Sequence, residues 1–172
     1  MEEDIGDFKI SKKLREKLKD KKLMKKEFAL GKSAQEIMGF SDEAMAKFYG
    51  AAHRLFDHER YQDAGNAFLF LVTLNPFVHD YWLGAGMCAQ MTGDHESAVD
   101  AYEMAAMCQL DSPVPYFYLA KCLFSMHERE SAMQALALAI EYAGDQPEFY
   151  ELRQQAIAAQ SLLHKDKSIK RS

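Results

Sequence analysis

Histidines, cysteines and clustered carboxylates are the side chains that bind metals, attack electrophiles and move protons, and this chain of 172 residues has all three. Its histidines are His53, His58, His79, His95, His127 and His164. Its cysteines are Cys88, Cys108 and Cys122, an odd number without a CxxC pair. A zinc site needs ligands a few residues apart, and no histidine keeps that spacing with a cysteine. A disulfide framework needs an even count, so these thiols read as small hydrophobes of apolar helices in a reducing compartment. His53 and Asp57 stand at i and i+4, with His58 beside them, which puts them on one helix face. A partly buried or surface histidine accounts for that pair. Asp57, Glu59 and Asp63 cluster where a turn is expected, and a solvated turn explains them better than an acid/base pair. There is no GxSxG, no phosphate loop and no HExxH. The sequence therefore names no catalytic residue, no metal ligand and no cofactor, and the chain reads as a binder rather than an enzyme.

The composition is that of a globular protein, 48% hydrophobic and 27% charged, with four prolines and nine glycines. A chain of this length buries about 70% of its unfolded surface, so it needs neither disulfide nor metal to hold together. No apolar run approaches eighteen residues, so no membrane span is expected. The first thirty residues are charged and lack an apolar centre, so a secretory signal is not expected either. Net charge is −5 but uneven. Residues 9–26 carry ten basic and two acidic groups, net +8, whereas residues 45–146 carry five basic and thirteen acidic, net −8. The basic stretch has few apolar residues and reads as a solvated arm rather than a nucleic-acid or lipid site. The acidic body should repel nucleic acid.

What positions the remaining residues is a repeat. Met45, His79 and Pro113 head three segments spaced thirty-four residues apart. The fourth position holds Phe48, Trp82 and Tyr116, and the twenty-fourth holds Phe68, Tyr102 and Leu136. The eighth, twentieth and twenty-seventh hold Ala or Gly at eight of nine sites, Leu71 being the exception. Large residues would fill the space between two helices, and small ones would let the backbones approach. A longer side chain at a small site would overpack it, at a cost of about 1–3 kcal/mol. This pattern resembles the tetratricopeptide repeat, a helix–turn–helix unit of that period. The predicted fold is an all-α tetratricopeptide-repeat solenoid. Residues 1–32 form a basic arm, partly disordered or helical, and 33–164 a single repeat domain. Its repeats cover 45–78, 79–112 and 113–146, with a capping helix over 147–164 and a basic tail over 165–172.

The punctuation agrees. His58-Glu59-Arg60, Thr92-Gly93-Asp94 and His127-Glu128-Arg129 are predicted to join the helices of each pair. Pro76 and Gly144 close the first and third repeats. Ser112 is the expected N-cap of the third repeat, with Pro113 at its first helical position. Ser33-Ala34-Gln35-Glu36 reads as a capping box for a short helix ending at Gly39, and Ser41 caps the next helix. After Gly144, Phe149, Leu152, Ala156 and Ala159 keep helical spacing on a polar-backed helix that would cover the last repeat.

Stacked repeats line a concave side with the first helix of each pair. The inward positions two, five, nine and twelve carry Ala46, Tyr49, His53 and Phe56 in the first repeat. They carry Asp80, Leu83, Met87 and Gln90 in the second, and Val114, Phe117, Lys121 and Phe124 in the third. An apolar, aromatic strip that the core does not require points to a partner surface. Repeats that clamp the acidic C-terminus of heat-shock chaperones carry Lys at position five and Asn at nine, where this chain has Tyr49 and His53. The groove instead suits an extended segment with a few apolar anchors. Tyr49→Ala or Phe117→Ala is expected to weaken that binding with the helices intact.

Three stretches, FYGAAHRLFDHERYQD at 48–63, YWLGAGMCAQ at 81–90 with TGD at 92–94, and PYFYLAKC at 115–122, narrow the resemblance, with PEFYEL at 147–152. Across residues 33–163 the chain is similar to the class II chaperones of bacterial type III secretion, the SycD/LcrH type. That resemblance implies a cytoplasmic protein that binds pore-forming translocators, keeps them soluble and export-competent, and uses no ATP. It implies that the client docks as an extended segment of the form PxLxxP against Tyr49, Phe56 and Tyr61, with Phe117 further along. It also implies a homodimer through N-terminal helices, although the lysine-rich Lys9–Lys26 departs from the family's polar N-terminus. The rival readings are a repeat adaptor unrelated to secretion, an RNA or lipid binder led by the basic arm, and a hydrolase, which has no motif in its favour.

Overall fold

The computed structural model describes residue 16 and residues 19–169, and among them every regular element is helical. The parts of the predicted basic arm at 1–15 and 17–18, and of the predicted tail at 170–172, lie outside the described residues. The elements are α1 (Lys21–Ala29), α2 (Ala34–Met38), α3 (Asp42–Asp57), α4 (Tyr61–Leu74), α5 (His79–Met91), α6 (His95–Cys108), α7 (Pro113–Ser125), α8 (Arg129–Ala143), a 3₁₀ turn (Pro147–Phe149) and α9 (Tyr150–Ile169). They divide into two compact units, one ending at Phe77 and one beginning at Val78.

In the first unit, α2 is fixed at both ends by its own sequence. The Ser33 hydroxyl accepts from the Glu36 N–H and the Glu36 carboxylate accepts from the Ser33 N–H, at 3.2 and 2.7 Å. Gly39 closes the helix in the left-handed region, φ 72°, where an added Cβ would be strained. Ser41 then caps α3 by accepting from the Ala44 N–H. Ala52, Ala64 and Leu71, the small-column sites of the first repeat, are fully buried between α3 and α4 with Phe68. Leu71 occupies its site without exposure, so the one large residue in these columns is accommodated. Phe48 is only half-buried and meets Phe40 and Phe70 edge-on, with ring centroids 5.2 and 5.8 Å away.

In the second unit α5 packs on α6, α6 on α7, α7 on α8 and α8 on α9. Ala98, Ala105, Ala120, Ala132 and Ala139 are all buried at their expected phases. Gly86 shows why the column must be small. A Cβ there would lie 2.7 Å from Cε1 and 2.8 Å from Cδ1 of Tyr102, closer than carbon atoms approach without displacement. Ser112 does sit at the N-cap of α7, but its hydroxyl makes no capping bond. One of its two usual donors is missing, because the third helical residue is Pro115, which has no N–H. The last helix starts later and runs further than expected, opening on the 3₁₀ turn and continuing to Ile169.

The three turns share one construction. Glu59, Gly93 and His127 occupy the same repeat position, and all have positive φ, 59°, 81° and 65°. Each donates its N–H three residues back, to Phe56, Gln90 and Phe124. The following N–H donates five residues back, to Leu55, Ala89 and Leu123. These paired bonds satisfy the carbonyls left open where a helix ends.

Candidate functional site

Helical period alone places Tyr49, His53 and Phe56 on one face of α3, and the first unit keeps them together around a buried floor. Tyr49 meets His53 edge-on at 4.5 Å and Phe68 at 6.0 Å, while His53 stands 5.3 Å from Phe68. Phe56 meets Tyr61, the first residue of α4, at 5.2 Å. His53 is exposed, and Tyr49, Phe56 and Tyr61 are half-buried. Each therefore presents part of an aromatic edge or face to solvent without leaving the core open.

The second unit holds a cavity of 480 Å³. One wall is α7, which contributes Phe117, Ala120, Lys121, Phe124 and Ser125. The opposing wall is one side of α9, with Gln155, Ala159, Leu162 and Leu163. Gln90 of α5 and Leu136 of α8 complete it. Phe124 and Leu162 remain 54% and 66% exposed, so the apolar lining reaches the surface. Lys121 lies with Nζ 5.4 Å from the ring centroids of both Phe117 and Tyr118, a cation held over aromatic faces.

Four residues expected in the third-repeat and second-repeat groove thus meet at one cavity: Gln90, Phe117, Lys121 and Phe124. Leu83 and Met87 are placed differently, half-buried against Ala98, Tyr102 and Cys122. Phe117 is only 8% exposed. Its side chain belongs to the packing of α7, α8 and α9 as much as to the cavity, so Phe117→Ala tests packing before it tests binding. The wall supplied by α9 is what sequence reasoning missed. Its signal was the continuation of Leu152, Ala156 and Ala159 by Leu163 at helical spacing, which marked a buried face but not a lining.

The three cysteines are not activated for covalent chemistry. Burial pushes the Cys88 thiol up to about 12 and the Cys122 thiol up to about 11, which keeps both protonated and unreactive near neutrality. The Cys108 thiol is raised too, also by burial. Among the described residues no group of His, Cys, Asp or Glu could hold a metal ion, and no helix is long and apolar enough to cross a membrane.

No family model matches the chain. Low calcium response locus protein H of Yersinia pseudotuberculosis is 31% identical to it over 112 residues, 65% of this chain and 67% of that protein. The chain belongs to the LcrH/SycD family of type III secretion chaperones. Solved members of that family share its fold. The Yersinia enterocolitica chaperone SycD, in complex with a peptide of the translocator YopD, matches 74% of this chain and 97% of its own, with 28% identity and a TM-score of 0.72. PcrH in complex with the chaperone-binding region of PopD matches 75% and 97%, with 25% identity and a TM-score of 0.73. The LcrH/SycD chain described here is accordingly a tetratricopeptide-repeat protein whose named relatives are chaperones.

Proposed function

We propose that this LcrH/SycD protein binds an extended segment of a hydrophobic translocator protein and keeps it soluble and export-competent in the bacterial cytoplasm, without ATP. The observation that carries the reading is the apolar cavity of the second unit, open at Phe124 and Leu162, in a fold that relatives solved with translocator peptides share. A membrane-active client needs its apolar segments covered, and a cavity of about 480 Å³ is large enough to take several apolar side chains. The aromatic face of Tyr49, His53, Phe56 and Tyr61 offers further anchor contacts in the first unit. An acidic body keeps such a complex soluble. One unbroken thirty-four-residue register supports reading residues 33–164 as a single repeat domain. The role is non-enzymatic, and pairing with a second copy belongs to the same reading. The test is co-expression with the translocators of its own bacterium. Translocator recovered in the soluble fraction only when the chain is present supports the proposal. Translocator equally soluble without the chain refutes it.

A further inference from the structure

Gly86 and Gln90 stand one turn apart on the same face of α5, and the fully buried Tyr102 of α6 connects them. The missing side chain at Gly86 lets one edge of the Tyr102 ring lie against the helix, closer than any Cβ would allow. From there the Tyr102 hydroxyl donates to Oε1 of Gln90 at 2.8 Å. The ring itself is held by stacking on Tyr118, with centroids 5.7 Å apart. A hydroxyl anchored in the core thus fixes a glutamine that lines the cavity. With its oxygen engaged, Gln90, half-buried in the cavity lining, keeps two amide N–H donors for which there is no acceptor among the described residues. The other polar side chains of the lining are used or wet: Ser125 donates to the Lys121 carbonyl, Gln155 donates to Glu151, and Lys121 is exposed.

We infer that Gln90 is the specificity-determining donor of the cavity, and Tyr102 its positioning residue: Gln90 donates to a backbone carbonyl of an extended peptide whose apolar side chain fills the space between α7 and α9. The inference rests on the function proposed above and names the contact by which the segment is held. An apolar pocket with one oriented amide matches a peptide better than a lipid or a hydrocarbon. An extended segment carries a carbonyl beside each side chain, and every such group buried needs a partner.

The test is an NMR titration of the full chain with the acetylated, amidated pentapeptide Ala-Ala-Leu-Ala-Ala, an extended segment with one large apolar side chain. In the wild type the peptide should shift the Gln90 side-chain amide signals. Gln90→Leu and Tyr102→Phe should each raise Kd about fivefold, the worth of one neutral hydrogen bond. The double variant should be no weaker than either single one, because both act through one donor. Gln90→Glu separates positioning from packing: it still accepts from Tyr102 but has no N–H to offer, and it should bind as poorly as Gln90→Leu. Wild-type affinity in Gln90→Glu, multiplying effects in the double variant, or unmoved Gln90 signals would overturn the inference, as would failure of the peptide to bind. Translocator solubilisation by the wild type reads the parent proposal separately, and it survives if only the Gln90 assignment falls.

Discussion

At the scale of single residues, burial rather than residue type decides what each group does. Cys88 and Cys122 illustrate it: as thiols they invite redox or metal chemistry, yet both are walled into the α5–α6–α7 core. Labelling of the native protein at pH 8 should therefore modify Cys108 first, with Cys88 and Cys122 reacting only on unfolding. Rapid modification of all three would contradict the packing. The same burial has a signed pH effect. The folded thiol values, about 12 and about 11, lie above the ordinary 9.0. The stability these neutral thiols carry is whole below pH 9 and falls as pH rises towards 12, by up to about 1.4 kcal/mol per pH unit per thiol. Urea unfolding of Cys122→Ala against wild type should show a flatter loss over that window. Gly86 makes the opposite case, a residue with no side chain that sets the geometry of two others. Gly86→Leu should lower stability by about 1–3 kcal/mol through overpacking, because the Tyr102 ring is itself trapped by Tyr118. A wild-type melting curve would show the Gly86–Tyr102 contact to be wrong.

At the scale of elements, the turns carry a prediction of their own. Position fifteen takes positive φ in all three repeats, but only Gly93 has the residue that adopts it without cost. Left-handed backbone costs an L-residue about 1–2 kcal/mol. Glu59→Gly and His127→Gly should each raise unfolding free energy by about 0.5–1 kcal/mol once glycine's extra chain entropy is counted, read as a shift in the urea midpoint. A drop in midpoint would mean the side chains hold those turns by contacts of their own. The helices were legible because close backbone approach admits only small residues, and Ala52, Gly86, Ala98 and Ala132 announce that at fixed intervals. The capping box at Ser33 was legible because both partners lie within four residues. Ser112 was half legible: its place at the helix start follows from type, but its hydroxyl makes no capping bond, and Pro115 removes one of the two donors it could use. Depth was the harder quantity. Periodicity sets Phe117 and Phe124 on one side of α7, yet Phe117 is covered by α8 and α9 whereas Phe124 is open, and no spacing within α7 encodes that difference. The cavity wall supplied by Leu162 and Leu163 was invisible for the same reason, being a product of how α9 packs on α8.

At the scale of the whole molecule, the account is that of a binder with a segregated charge. The arm carries net +8 over residues 9–26 and the repeats net −8 over residues 45–146. If the repeats alone hold the client, deleting residues 1–30 should leave translocator binding within about twofold. It should also leave the salt dependence shallow, since steep salt dependence marks binding by many cationic contacts. Loss of binding on that deletion would move recognition to the arm. The central claim is that the aromatic face of α3 and the cavity beside α7 hold the translocator. The most direct measurement is capture of translocators from the chain's own bacterium by the purified wild type and by Tyr49→Ala/Phe124→Ala. Both side chains are at least partly open to solvent, so their truncation leaves the packed interior in place. The account predicts that proteins with membrane-spanning segments, identified as translocators, come down with the wild type and are lost from the double variant at unchanged melting temperature. Equal recovery by both proteins, or recovery of soluble proteins alone, would contradict it.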